Sequence, residues 1–322
     1  MRRALAALGV GLGGGAAAAL VLQRLVLRRH GPLLDSRPGL GPDGVVAGGG
    51  TIVLPAPADA PAHHPDRAAL VLHGFGDTPQ SMAYLAGYLN GIGYAVRAPL
   101  LPGHGRTVRA FTASTADQWL AHARREFQRL RRRHALVVIV GQSMGGALAT
   151  VLAAEAADRG EPGPDALVLL APYLAMPVHV HHLARTHRVW RPFLPLLPSG
   201  GGDSIVDAVE RAANLSLGVV SGSLLAELRR VVALATDALP RVTVPVLVVQ
   251  SRRDRRISAE ACARAVARLG SRRKRLAFVD EGGHVLSVDH GRERLFALAA
   301  RWLDNELARA APVEGSPRRG MI

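Results

Sequence analysis

A serine flanked by glycines, in Gly141-Gln142-Ser143-Met144-Gly145, is the residue pattern of this chain with the clearest chemical use. A tight turn there would hold Ser143 in a strained backbone conformation, and the glycines on either side keep side chains clear of it. A serine hydroxyl is a weak nucleophile until a base takes its proton, and the base needs a carboxylate to orient it. The chain has 13 histidines, so position must choose among them. His284 stands in Gly282-Gly283-His284, and Asp254 ends the run Ser251-Arg252-Arg253-Asp254. Asp280 and Glu281 compete for the orienting role but sit too close to His284 in sequence to approach its Nδ1 easily. Asp254 also has a plainer reading, a surface acid paired with Arg252, Arg253, Arg255 or Arg256. Attack on a carbonyl further requires donors for the oxyanion that develops. The backbone N–H of Met144 follows the nucleophile directly, and Phe75 in His73-Gly74-Phe75-Gly76-Asp77 offers a second. His73 is expected to brace that loop and not to do chemistry.

Elements must bring these residues together. Short apolar runs at 68–72, 94–98, 135–140, 166–170, 244–250 and 276–279 are β-branched or leucine-rich, as expected of strands buried on both faces. Helical periodicity covers roughly 80–91, 115–133, 145–158, 257–269 and 291–308. Strands alternating with helices of this length predict an α/β fold with a mostly parallel central sheet flanked by helices. Ser143 then sits between a strand and a helix, while Asp254 and His284 follow later strands. All three emerge at the carboxyl edge of the sheet, where sites of open α/β sheets collect. Residues 172–240 break the alternation and are too long for a structureless loop, which predicts an insertion with helices of its own.

These residues, with Leu101-Pro102-Gly103-His104-Gly105, Leu239-Pro240-Arg241-Val242 and Gly283-His284-Val285, make the chain resemble the α/β-hydrolase superfamily over about residues 67–308. Within it the resemblance is to bacterial carboxylesterases and monoacylglycerol lipases. It implies hydrolysis of carboxylic esters through an acyl-enzyme on Ser143, with His284 as general base and acid and Asp254 orienting it. It also implies Phe75 and Met144 as oxyanion donors, a helical cap at 172–240 inserted after the sixth strand, and no cofactor. The chain departs from the family in its N-terminal extension and in the four arginines around Asp254. Acyl transfer or thioester hydrolysis would use the same triad. An inactive hydrolase-fold binding protein would require a triad member to be misplaced. Dehalogenase and epoxide-hydrolase chemistry are disfavoured, because those relatives place Asp where this chain has Ser143.

The insertion carries Val189, Trp190, Phe193, Leu194, Leu196 and Leu197. Trp190 and Phe193 are candidates for contact with an acyl chain, since each buried methylene contributes about 0.8 kcal/mol. The alternative is that these side chains are the cap's own core. The triple glycine at 200–202 reads either as a hinge or as a plain loop. His179, His181, His182 and His187 lack Cys or acidic partners at metal-ligand spacing, so no metal is expected.

The whole chain has 322 residues, 48% of them hydrophobic and 20% charged, which excludes a disordered or fibrous protein. Cys262 is the 1 cysteine, so intrachain disulfides and Cys-based zinc or iron–sulfur sites are excluded. The net charge of +15 invites a nucleic-acid reading. That reading weakens because Lys274 is the lone lysine amid abundant Arg, Ala and Gly, a pattern of compositional background, and because aromatics make up only 4%. No nucleic-acid partner is expected. Residues 4–22 contain no charged side chain and are flanked by Arg2, Arg3, Arg24, Arg28 and Arg29. As a helix they would reach about 28 Å, close to the thickness of a bilayer's hydrocarbon core. Residues 1–30 therefore read as a membrane anchor or signal segment, the anchor leading, with membrane association and a lipid ester substrate as expectations. Basic clusters at 124–133, 252–256 and 272–275 would then face anionic headgroups. Residues 31–66 read as a linker with one candidate edge strand at 51–54, and 309–322 as a flexible tail.

Overall fold

A computed structural model describes residues 34–58, 66–199 and 204–310, with scattered positions between 18 and 31. In chain order its strands are β1 (Ile52–Leu54), β2 (Arg67–Leu72), β3 (Ala95–Ala98), β4 (Leu136–Gln142), β5 (Ala166–Leu170), β6 (Leu197–Pro198), β7 (Val219–Val220), β8 (Val246–Ser251) and β9 (Lys274–Val279). Its helices are α1 (Ala83–Gly91), α2 (Val108–Thr112), α3 (Ala116–Arg131), α4 (Met144–Arg159), α5 (Val178–Arg185), α6 (His187–Trp190), α7 (Ala208–Ala213), α8 (Gly222–Ala238), α9 (Ala259–Ala267) and α10 (Arg292–Ala310). Seven strands form one sheet in the order β1-β3-β2-β4-β5-β8-β9. Every neighbouring pair is parallel except β1 with β3, where Ile52 faces Ala98 across an antiparallel edge.

The central strands have no solvent face, which explains their unbroken apolar sequences. All residues of β2, β5 and β8 are buried. Burying a Val or Leu side chain contributes about 1.5–3 kcal/mol, so these strands supply much of the stabilisation of the core. One face of the sheet packs on α3, α4, α8 and α9, and the other on α1 and α10. α3 starts at a capping box, in which Thr115 Oγ1 accepts from Gln118 N and Gln118 Oε1 accepts from Thr115 N. Its Trp119, Ala123, Phe127 and Leu130 repeat at helical spacing and are all buried.

From β2 the chain winds outward to β3, then crosses back to β4 and continues the other way to β5, β8 and β9. The direction of winding thus reverses between β2 and β4, and the loops after those two strands diverge to leave a crevice at their carboxyl ends. The Phe75 loop follows β2, and Ser143 follows β4.

Three expectations change. The helical insertion leaves the sheet after β5, the fifth strand and not a sixth, because among the described residues only β1 precedes β2. The membrane anchor is corrected: among the described residues no helix is long and apolar enough to cross a membrane. Most of the expected 4–22 segment, the glycines at 200–202 and the tail beyond 310 lie outside the described residues. Part of the expected linker is docked, since Val46 N donates to Gly105 O at 2.8 Å, and Arg106 donates to Asp43 O at 2.9 Å. Arg37 reaches the Leu215 carbonyl in the insertion. Several arginines of the basic clusters are paired, Arg124 with Glu155 at 2.7 Å and Arg131 with Asp165 at 2.8 Å.

Candidate active site

The turn from β4 to α4 places Ser143 at φ 55° and ψ −116°, a region that non-glycine residues rarely enter. The turn can be this tight because no side chain stands at Gly141 or Gly145. A Cβ on Gly145 would overlap the Leu72 carbonyl oxygen, and one on Gly141 the Gly145 carbonyl. The conformation is held from outside as well: Ser143 N donates to Leu170 O at 2.9 Å, and Ser143 O accepts from Tyr173 N at 3.0 Å.

Three separate elements converge on this serine. His284 Nε2 lies 2.8 Å from Ser143 Oγ, and His284 Nδ1 lies 2.8 Å from Asp254 Oδ2. The carboxylate at Nδ1 selects the tautomer that leaves Nε2 to accept the serine proton. All three side chains are buried. Asp254 Oδ1 accepts from Arg256 N at 2.7 Å and from Ile257 N at 3.1 Å, and Oδ2 also accepts from Gln250 Nε2 at 2.9 Å. Burial alone would push the Asp254 carboxyl up. The adjoining His284 charge and hydrogen bond, with the two backbone N–H groups, outweigh it and hold the group below its ordinary value. Two of the four arginines around Asp254 turn elsewhere: Arg252 stacks on Phe278 and pairs with Asp280 at 3.4 Å, and Arg256 Nε donates to Ser204 Oγ at 3.0 Å. Glu281 pairs with Arg294. Neither competing acid reaches His284.

The loop after β2 passes beside Ser143, since a Cβ on Gly74 would stand 3.3 Å from Ser143 Cβ. Phe75 N and Met144 N have no hydrogen-bond acceptor among the described residues. His73 braces this loop as expected, its Nδ1 donating to Gly74 O at 2.9 Å and its Nε2 accepting from Leu101 N at 3.1 Å. Full burial pulls its pKa down to about 4, so the ring is neutral when it bridges the two loops. Phe75 packs at 5.1 Å from Phe111 and 5.8 Å from Trp119, and His104 joins the same aromatic cluster.

The sequence of residues 63–291 matches the family described as serine aminopeptidase, S33 (Hydrolase_4). The chain belongs to that family. It is 37% identical over 84 residues to the thermostable monoacylglycerol lipase of Bacillus sp. (strain H-257), 26% of this chain but only 34% of the lipase's length. To the carboxylesterase of Bacillus subtilis (strain 168) it is 23% identical over 229 residues, 71% of this chain and 88% of that enzyme. Among solved structures, a metagenome-derived lipolytic enzyme of the LipS and LipT pair superposes with a TM-score of 0.71 at 27% identity, covering 81% of this chain and 99% of its own. These named relatives are carboxylic ester hydrolases of lipase and esterase type, and the fold is the α/β-hydrolase fold they share.

In this S33-family chain the two candidates for contact with an acyl chain have different surroundings. Trp190 is half-buried inside the insertion, where Nε1 donates to Leu183 O at 3.0 Å and the ring lies against Gly222 at the start of α8. Phe193 is 58% exposed, while Leu194 and Leu196 are buried in the insertion. Packing within the insertion claims Trp190 first, because a short helical segment must bury its largest apolar side chain somewhere. Conversely, sequence reasoning passed over Asp289. Its carboxylate is fully buried and accepts from Gly283 N at 2.6 Å, Val206 N at 2.8 Å, and Asp207 N and His290 N at 2.9 Å. It thereby fastens the His284 loop to the middle of the insertion. Ser204 O completes the joint by accepting from His284 N at 2.8 Å and Val285 N at 3.0 Å. Gln142 Nε2 donates to His284 O at 2.7 Å from the end of β4. Gln142 and Gln250 were visible as polar residues closing apolar strands. Asp289 carried no such signal, since two of its partners, Val206 and Asp207, lie 83 and 82 positions away.

Proposed function

We propose that this chain hydrolyses carboxylic esters, monoacylglycerol-like or other small lipid esters, through an acyl-enzyme on Ser143. The observation that carries the reading is the relay from Asp254 through His284 to Ser143, with 2.8 Å at each step. His284 Nε2 takes the Ser143 proton as Oγ bonds to the ester carbonyl carbon, and the carbonyl π electrons move onto oxygen. The Phe75 and Met144 N–H groups donate to that oxyanion, a kind of contact worth about 10²–10³ in rate. Collapse breaks the bond to the alcohol oxygen, which receives the proton from His284 and leaves. Water then repeats the cycle, losing a proton to His284 and releasing the carboxylic acid from Ser143. Asp254 keeps its charge throughout and steadies the imidazolium.

The lipid-ester preference is supported by the lipase and esterase names of the relatives. The inactive-binder reading required Ser143 Oγ and His284 Nε2 to lie apart, and their contact argues against it. Ser143→Ala is expected to abolish fluorophosphonate labelling and to lower p-nitrophenyl ester turnover by on the order of 10⁵–10⁶. Turnover surviving that change would sink the assignment.

A further inference from the structure

A cavity of about 500 Å³ opens between α8 and α9, beneath the segment that leads from β5 into the insertion. None of Ser143, Asp254, His284, Phe75 or Met144 lines it. Its size falls within the range of small-molecule sites, about 300–1,000 Å³. The lining divides chemically. Met176 and Val232 contribute an apolar wall, while Arg229, Arg264 and Arg268 bring three guanidiniums against one carboxylate, Asp237, with His181 at the rim.

The arginines here differ from those elsewhere in the fold. Arg124, Arg131, Arg241 and Arg292 each meet an acid in an ion pair, but Arg229 and Arg268 have none among the described residues. Arg264 has no ion pair among the described residues either, and Glu260 lies one turn back on the same exposed helix face. Arg229 Nε is buried and has no acceptor. A guanidinium at the wall of a cavity, with an unspent donor, is suited to the planar forked oxygens of a carboxylate or to phosphate. Guanidiniums and hydrocarbon line the same cleft, which suits an ion with both characters.

We propose that this cleft is a binding site, separate from the Ser143 centre, for an amphiphilic anion: a carboxylate or phosphate head on an apolar chain. The head meets Arg229 and Arg268, with Arg264 adding charge at the mouth, and the chain lies against Met176 and Val232. The site does not depend on the ester-hydrolase reading, because its test reads binding and not turnover.

Titration calorimetry on the full chain with decanoate, decyl phosphate, decanol and inorganic phosphate, each below its micellar concentration, tests this. Saturable binding of decanoate or decyl phosphate is expected, and the tighter of the two identifies the head group. R229Q/R268Q should weaken it at least tenfold, and S143A should leave it unchanged. Because Arg264 and Arg268 are exposed, R264Q/R268Q serves as a second variant whose folding is not in question, with loss of affinity again expected. Added salt should weaken binding of both anions. The proposal is overturned if the arginine variants bind as the wild type does, if decanol matches decanoate, or if inorganic phosphate binds as tightly as decyl phosphate.

Discussion

Ser143 is held at φ 55° by the turn around it, and that backbone conformation is separable from its hydroxyl chemistry. An alanine there removes Oγ but keeps Cβ in the same unfavourable region. A glycine removes both, relieving strain of about 1–3 kcal/mol while adding about 0.5–1 kcal/mol of chain entropy to the unfolded state. The first quantity is the larger, so S143G should be more stable than S143A by about 1 kcal/mol, with both variants inactive. Thermal melts of the pair check this, and an S143G that melts below S143A would locate no strain at the turn. This residue was legible because its demands are local: the turn, the glycines and the flanking strand and helix all lie within a few positions of one another. Asp254 was nearly as legible, because a strand end fixed its place. What sequence could not decide was whether the neighbouring arginines would capture it, and that depended on Phe278, Asp280 and Ser204, which only folding brings near.

At the scale of elements, the sheet and its covering helices were read closely from periodicity, β4 and β5 above all, since strands buried on both faces must be apolar throughout. The insertion was not resolved into α5, α6 and α7, whose lengths of 8, 4 and 6 residues are too short for a periodic signal. The tie between the insertion and the core was invisible for a different reason: it runs through backbone N–H groups, which every residue carries. Four of them converge on Asp289, two from the His284 loop and two from the 206–207 segment. Replacing this carboxylate by Ala leaves buried donors unpaired at about 1–3 kcal/mol each before relaxation. Water entry offsets part of that cost, so D289A should lose about 3 kcal/mol in urea unfolding. It should also lose at least tenfold in kcat, although Asp289 touches neither Ser143 nor His284, because Ser204 and Gly283 position the His284 backbone. Stability lost with kcat intact would show that the loop keeps its place without the joint.

Across the whole molecule, charge reads differently once the fold is known. Part of the basic content sits in surface pairs, such as Arg241 with Asp158, where each contact contributes little to stability. The pH dependence of folding rests instead on a few buried groups that the net charge does not report. His73 is pulled from 6.5 down to about 4 by burial, and burial also places His104 well below its ordinary value. Both rings must stay neutral in the folded chain yet bind protons readily when unfolded. The unfolded state therefore takes up more protons as pH falls below about 6.5, and stability falls with it. Asp254, held low in the fold, works in the same direction but only at the acid end, where its stabilisation is lost as pH falls below the ordinary carboxylate value. Asp77 opposes them, since burial raises its pKa and the folded state gains from its protonation. His73 alone, at 1.4 kcal/mol per unit, accounts for about 2 kcal/mol between pH 7 and pH 5. Urea unfolding should accordingly give a free energy at least about 2 kcal/mol lower at pH 5 than at pH 7, and H73N/H104Q should flatten that slope even where it lowers the absolute value. Equal stability at the two pH values in the wild type would mean that the His73 and His104 rings are not held neutral by burial.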